Sequence, residues 1–245
     1  MNPKVWEASG HTTSFTDVLI DCKNCKARMR ADHLVEEYYK SKGENKNVEG
    51  MSEDELAEII KKENIKCPKC GEISWTEPRK FNLLFETSVG IITESQSTVY
   101  LRGEIAQGMF VNFKNVLDTM RPKLPFGLAQ SGKAFRNEIT LGNFIFRTLE
   151  FNLAEFEYFF DPSKTKWEAI FDYWKEEMKN WAVTLGLPVS KLRWRVHSDA
   201  ERAHYSARTE DLDFEFSFGY KELFGLAYRT DYDLKKPYRE IRRRS

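Results

Sequence analysis

The chain has 245 residues, enough for one large domain or two small ones with a substantial core. Its 41% hydrophobic, 31% charged and 14% aromatic residues exclude a disordered chain, and its longest apolar runs fall far short of the roughly 18 residues that span a membrane. The 38 Lys and Arg balance the 38 Asp and Glu, so no global basic excess points to nucleic acid; counterion release depends on where cations lie, and neutrality leaves that question open.

The start, Met1-Asn2-Pro3-Lys4-Val5-Trp6, lacks the basic stretch and apolar core of a signal peptide, and the cytoplasm is the expected compartment. There, four cysteines are not read as a disulfide framework. Cys22-Lys23-Asn24-Cys25 and Cys67-Pro68-Lys69-Cys70 are two Cys-x-x-Cys knuckles, able to present four thiolates tetrahedrally to one structural zinc ion; free or redox-active thiols are the alternative. Four thiolates leave no open coordination position for catalysis.

Residues 31 to 65 hold ten acids against five lysines. Within them Ser52-Glu53-Asp54-Glu55 is a capping box, followed by the apolar stripe Leu56, Ile59 and Ile60, which predicts a solvated helical insertion between the knuckles. A second helix is predicted from about Glu104 to Met120, closed by Pro122, with Ile105, Met109, Phe113, Val116, Leu117 and Met120 on one side. Arg136 and Glu138 share one face of a following strand. A turn then leads to Phe146, Arg147, Glu150 and Phe151, and to a period-two segment with Ala154, Phe156, Tyr158 and Phe160 opposite Leu153, Glu155, Glu157 and Phe159. Arginines, carboxylates and an aromatic gather on one surface: a site for phosphate, amine and base, or a ladder of solvated ion pairs.

Thr165-Lys166-Trp167-Glu168 reads as another capping box, and Trp167, Ile170, Phe171, Trp174, Met178 and Trp181 as its core stripe, ended by Gly186-Leu187-Pro188. Arg193 and Arg195 share a face of the next strand, either a solvated face or one approaching RNA. Leu212, Phe214, Phe216 and Phe218 alternate with Asp211, Asp213, Glu215 and Ser217, predicting a strand with one buried and one polar face. His11, His33, His197 and His204 lie at no metal-ligand spacing, and each is expected to be structural. The terminal arginines 242 to 244 are expected to be a frayed end. The fold class is α+β: an antiparallel sheet flanked by helices, with a zinc-ribbon or helical insertion.

The run from Lys133 to Glu138, with Phe144 to Phe151, resembles the motif 2 hairpin of class II aminoacyl-tRNA synthetases, specifically the homodimeric glycyl-tRNA synthetases. Four further blocks resemble the same family in order: Trp6 to His11, Arg30 to His33, Arg102 to Gly108, and Phe218 to Leu223 with Arg229 to Leu234. The resemblance implies ATP-dependent activation of glycine to an adenylate and transfer to tRNA(Gly). It implies ATP and magnesium beside the structural zinc, and a homodimer. Arg136 and Glu138 are then catalytic; Arg136, Asn137, Glu138, Phe146, Arg147, Glu150, Phe151, Glu222 and Leu223 bind ATP; Arg30, Glu104 and Glu155 bind glycine.

It further implies that residues 1–21 and 72–245 are part of a class II catalytic domain, running from the end of motif 1 through motif 2 without motif 3, and that 22–71 are the zinc-binding insertion. The family pattern has Pro at Gly103, Thr at Ile105, a second hairpin arginine at Leu149 and commonly Gln at Leu153. Losing the arginine weakens the expected grip on phosphate. A synthetase-like paralogue or fragment that binds tRNA or protein without chemistry is the alternative.

Overall fold

The computed structural model describes residues 1–44, 46, 48, 50–92, 96–142, 144–199 and 201–235; the terminal arginines lie outside the described residues. The elements are α+β, and three of the sheets are antiparallel. The chain divides into two compact units, Met1–Gly108 with Gln130–Glu155, and Met109–Ala129 with Phe156–Ser245.

In the first unit, helices α1 (Pro3–Ala8) and α2 (His11–Ser14) precede β1 (Thr16–Asp21), which is the centre of a sheet ordered β2 (Arg28–Arg30), β1, β3 (Arg79–Asn82). The first cysteine knuckle is the turn joining β1 to β2, with Asp21 opposite Arg28 and Leu19 opposite Arg30. Helices α3 (Ala31–Ser41) and α4 (Glu53–Lys62) follow, and their apolar faces bury Leu34, Val35, Leu56 and Ile60 with Ile20 of β1 in one core. The Ser52 box forms as expected: the Ser52 hydroxyl accepts from Glu55 N–H at 3.3 Å, and Glu55 accepts from Ser52 N–H at 2.8 Å. Strands β4 (Glu86–Val89) and β5 (Ser97–Tyr100) pair antiparallel, and β5 meets α1.

Helix α5 (Ala106–Met120) begins two residues later than the sequence pattern suggests, because Glu104 and Ile105 are taken up in side-chain contacts of the site. Strands β6 (Phe126–Phe135) and β7 (Glu150–Phe159) pair with each other. On β7 the expected polarity is inverted over its first half: Glu155 and Glu157 are half-buried, whereas Ala154 and Phe156 are exposed. One contact draws the acid inward across the fold: Glu155 accepts a hydrogen bond from the Ile105 backbone N–H, 50 residues away in the chain.

In the second unit, α6 (Trp167–Thr184) packs on aromatic rings: Trp167 stacks on Tyr228 at 4.5 Å, and Trp174 meets Phe156 at 4.8 Å. The Thr165 box does not form. The helix starts at Trp167 with Lys166 as its N-cap and no side-chain cap; Thr165 lies one residue too early, where its amide already bonds to the Asp161 carbonyl. Its end is a Schellman motif, with Gly186 at φ 92°, Gly186 N–H donating to Val183 and Leu187 N–H to Ala182. Trp181 is 57% exposed and is not core, because the buried face of the last turns lies at its neighbour Ala182, which is fully buried.

The sheet of this unit is ordered β10 (Gly219–Tyr228), β9 (Arg208–Phe216), β8 (Leu192–Val196). Phe218 falls in the β9–β10 turn. The polar face of β9 is only partly solvated: Asp211 and Asp213 are each 3% exposed while Glu215 stays exposed, and on the opposite face Glu210 is 1% exposed. Cations from neighbouring elements make this possible. Arg193 pairs with Asp213, Arg195 with Asp211, and Lys175 and Arg208 with Glu210. The arginines of β8 thus pair with carboxylates of β9, and Arg193 stays more than half exposed while doing so. Among the described residues no helix is long and apolar enough to cross a membrane.

Candidate functional site

Strand β6 ends at Phe135, so Arg136 and Glu138 lie just beyond it rather than on one face of a strand; Ala134 is fully buried, and the backbone that follows is pinned on both sides. Phe135 N–H donates to Arg102, Arg136 N–H to Leu149, and Asn137 N–H to Leu83. Arg136 Nε donates to the Gly103 carbonyl at 3.2 Å, and its guanidinium lies over the rings of Phe15 at 5.3 Å and Phe151 at 5.4 Å. Among the described residues no carboxylate pairs with Arg136. A half-buried guanidinium held by rings and one carbonyl keeps its charge available for an anionic ligand.

The segment that accepts Arg136 also organises the two acids. Glu104 follows Gly103, is 8% exposed, and meets His11 Nε2 at 3.2 Å. Glu155 accepts from Ile105 N–H at 3.1 Å. Arg136, Glu104 and Glu155 are thus gathered around residues 103 to 105. Gly103 allows this approach, because a Cβ there would stand 2.9 Å from Leu84 Cδ2 and 3.1 Å from the Phe15 ring. His11 and Phe15 are missing from the sequence-based site. His11 stands in the Trp6 to His11 block, but nothing local signals its carboxylate partner.

A second cluster surrounds Arg30. Its guanidinium is bidentate to Asp32, at 3.1 and 2.5 Å, and meets Asp17 at 3.0 Å, so it lies in an internal triad. Burial pushes the Asp17 carboxyl up against the pull of Arg30, with Asp32 and Glu138 adding to the rise. Burial also disfavours the charge on Asp32, but Arg30 outweighs it and the carboxyl stays below its usual range. Glu138 pairs with Arg147 at 3.4 Å across the hairpin. Glu150 pairs with Lys133, and Phe146 is 39% exposed near the hairpin tip.

Glu222 and Leu223 belong to the second unit. Glu222 lies opposite Asp213 in register, and the β10 register shifts between Glu222 and Phe224, leaving Leu223 in the irregularity. A Cβ on Gly225 would stand 3.0 Å from Glu222 Oε1, so the glycine leaves room for that carboxylate beside Asp211.

The four cysteines converge. Cys22 and Cys70 Sγ are 3.7 Å apart, as are Cys25 and Cys67, and all four lie within 4.8 Å of one another. Four thiolates about 2.3 Å from one ion stand about 3.8 Å apart at tetrahedral angles, so the donor set fits zinc. Both knuckles share one backbone geometry. Cys22 N–H donates to Ala27 and Lys26 N–H to Cys22; Cys67 N–H donates to Glu72 and Gly71 N–H to Cys67. The turn requires positive φ, met by Gly71 at 79° and by Lys26 at 58°. Within the cluster the Cys70 thiol is lowered to about 6 by the Glu72 backbone and the Asn24 side chain, whereas Cys25 is raised to about 11, where the Ala27 backbone is outweighed by burial and the other three thiols.

No protein-family model matches the chain. It is similar to the glycine–tRNA ligase of Caldanaerobacter subterraneus subsp. tengcongensis, 52% identical over 96% of this chain and 51% of that protein. It is also 52% identical to that of Geobacillus thermodenitrificans, over 96% of this chain and 50% of the relative, and to that of Clostridium tetani, over 96% and 51%. A crystal structure of cytoplasmic serine–tRNA ligase from Naegleria fowleri in complex with AMP shares the fold over 63% of this chain and 35% of that one, with a TM-score of 0.50 and 21% identity. The chain spans about half the length of the curated relatives it matches. The resemblance drawn from the motif blocks is therefore borne out: along nearly its whole length, this chain is a homologue of about half of a glycine–tRNA ligase.

Proposed function

We propose that the chain is a partial class II catalytic domain of a glycine–tRNA ligase, formed by residues 1–21 and 72–245, with 22–71 as a zinc-anchored insertion. In this reading it works in the cytoplasm within a homodimer, on glycine, ATP and tRNA(Gly). The observation that carries it is the Arg136 guanidinium, held between Phe15 and Phe151 with no carboxylate partner among the described residues, next to Glu104 and Glu155. An available cation beside two carboxylates suits a nucleotide phosphate and the ammonium of an amino acid.

In the reaction, a glycine carboxylate oxygen attacks the α-phosphorus of ATP, and pyrophosphate leaves with its electron pair. Arg136 stabilises the charge developing at phosphorus and aligns the attacking carboxylate. Phe151 stacks on adenine, while Asn137, Glu138, Phe146, Arg147, Glu150, Glu222 and Leu223 complete the nucleotide contacts. Glu104 and Glu155 hold the glycine ammonium, and Arg30, the third glycine-binding residue in this reading, acts from its cluster with Asp17 and Asp32. The tRNA terminal ribose hydroxyl then attacks the adenylate carbonyl and releases AMP, so binding and charge perform the catalysis without a covalent enzyme intermediate. Magnesium arrives with the triphosphate and neutralises it. Zinc, held by Cys22, Cys25, Cys67 and Cys70, is structural.

Glycine-dependent exchange of pyrophosphate into ATP tests the reading, on this chain alone and mixed with the remaining half of a glycine–tRNA ligase. Exchange that Arg136→Ala abolishes is expected. Absence of ATP binding and exchange in both preparations refutes the reading, and tRNA binding without adenylate formation favours a binding module.

A further inference from the structure

We propose that Gln107 is a further specificity residue of the amino-acid subsite: its carboxamide oxygen accepts from the glycine ammonium while its Nε2 donates to the glycine carboxylate. The inference rests on the functional reading above and deepens it. Gln107 is 2% exposed, and neither its Oε1 nor its Nε2 has a hydrogen-bond partner. Among the described residues no other buried side chain leaves more than one polar atom unpaired. A buried amide with no partner has been stripped of water without a replacement, a cost that native folds seldom carry without a use.

Its placement supplies the use. Gly108 N–H donates to the Ile105 carbonyl at 3.0 Å, so the chain already turns at Ile105, and Gln107 is the second residue of α5. Helical side chains lean toward the N-terminus of their helix, which directs Gln107 back over residues 103 to 105. Those residues carry the Glu104 carboxylate, the Ile105 N–H that holds Glu155 at 3.1 Å and the Gly103 carbonyl that holds Arg136 at 3.2 Å. Ile105, Ala106 and Met109 are all buried around the turn. Gly108 brings the Gln130 side chain close, its Oε1 standing 3.1 Å from where a Cβ would lie, yet even that carboxamide does not take up Gln107. An α-amino acid carries ammonium donors and carboxylate acceptors on adjacent carbons, and a carboxamide carries an acceptor and a donor on a single carbon. Gln107 can therefore meet both ends of the zwitterion without adding a charge to the two carboxylates and one guanidinium. A ligand lacking either end leaves the amide unpaired and is rejected.

Calorimetric titration with glycine and, separately, with ATP tests this on wild type, Gln107→Met and Gln107→Leu, together with thermal melts of the ligand-free chains. Both variants keep an apolar stem and remove the unpaired amide, and their two shapes guard against a packing defect in one. Ligand-free melting temperatures should equal or exceed that of wild type, because the group removed has no partner there. Glycine should bind about tenfold or more weakly to both variants, the effect of losing hydrogen bonds to charged groups, while ATP affinity changes less than twofold. Unchanged glycine affinity overturns the proposal. A large stability loss or failure to fold in both variants also overturns it, since the amide then serves the fold through buried water. Wild type that binds ATP but not glycine refutes the amino-acid subsite and this proposal together; wild type that binds neither refutes the functional reading and, with it, the proposal.

Discussion

Arg195 on β8 lies directly opposite Asp211 on β9, and the two side chains meet at 2.6 Å. Arg193 and Asp213 repeat the relationship two residues along, at 3.2 Å. These in-register pairs let the central strand of the second unit bury carboxylates on a face its alternation marks as polar.

Arg195→Met strands a carboxylate whose side chain is 4% exposed. The expected loss is about 2 kcal/mol, less than for a fully buried pair because the Arg195 side chain is 35% exposed and His197 stays beside Asp211. Adding Asp211→Asn should recover part of it. Urea unfolding of the three chains checks this, and a single variant as stable as wild type contradicts it.

His197 makes the same network sensitive to pH. Its Nε2 lies 2.7 Å from Asp211 Oδ2, and that hydrogen bond raises the imidazole against the opposing effects of burial and Arg195. A raised folded-state value means that its contribution is full below the unfolded value of 6.5 and is lost as pH rises through the folded one. Stability of the second unit should therefore fall from about pH 6 to about pH 8, and His197→Asn should flatten that slope. Thermal melts across the range decide; a slope unchanged in the variant assigns the effect elsewhere.

Metal analysis of the purified protein should find about one zinc per chain. Removing it with a strong chelator, or substituting Cys67→Ser, should lower the melting temperature, because the first knuckle is the turn between β1 and β2. Much less than one zinc, with four thiols reacting freely, contradicts a structural centre.

Arg136→Ala should leave the melting temperature nearly unchanged, since no carboxylate among the described residues depends on that cation. ATP affinity should fall about tenfold or more, the cost of one charge-assisted phosphate contact. A large stability loss with intact ATP binding would make Arg136 a structural residue instead.

Gly103→Ala should destabilise the first unit by about 1 kcal/mol, because the new methyl meets the Leu84 side chain at 2.9 Å and that side chain can partly give way. Combining it with Leu84→Ala should remove the clash but leave the cost of lost core packing. A double-mutant cycle measures the coupling, and strict additivity contradicts the contact.

Local chemistry explains which features were legible. The Ser52 box and the Gly186 stop use partners within a few residues, so sequence suffices for both. The knuckles are equally legible, because spacing alone defines each half and thiolates have few other structural roles. Thr165 fails because the helix starts one residue later with Lys166 at its N-cap, while the Thr165 amide is taken up by the Asp161 carbonyl of the preceding turn, a contact the box pattern does not reveal. Arg30 reads as an available cation, yet Asp17 and Asp32 already engage it. Trp181 continues its helix's apolar spacing, yet the face that is covered there lies at Ala182 beside it.

Sequence by itself determined the α+β class, the paired knuckles and the family, since each rests on residue type and short spacing. Tertiary structure alone decided which charges are spent and which are available. Arg136, just past the end of β6, and Arg195, on β8, are the same residue type, but one lies between Phe15 and Phe151 and the other faces Asp211. Coulomb and ring contacts act through space over a few ångströms, whereas Phe15 and Arg136 are far apart along the chain. Only the fold brings such partners within range.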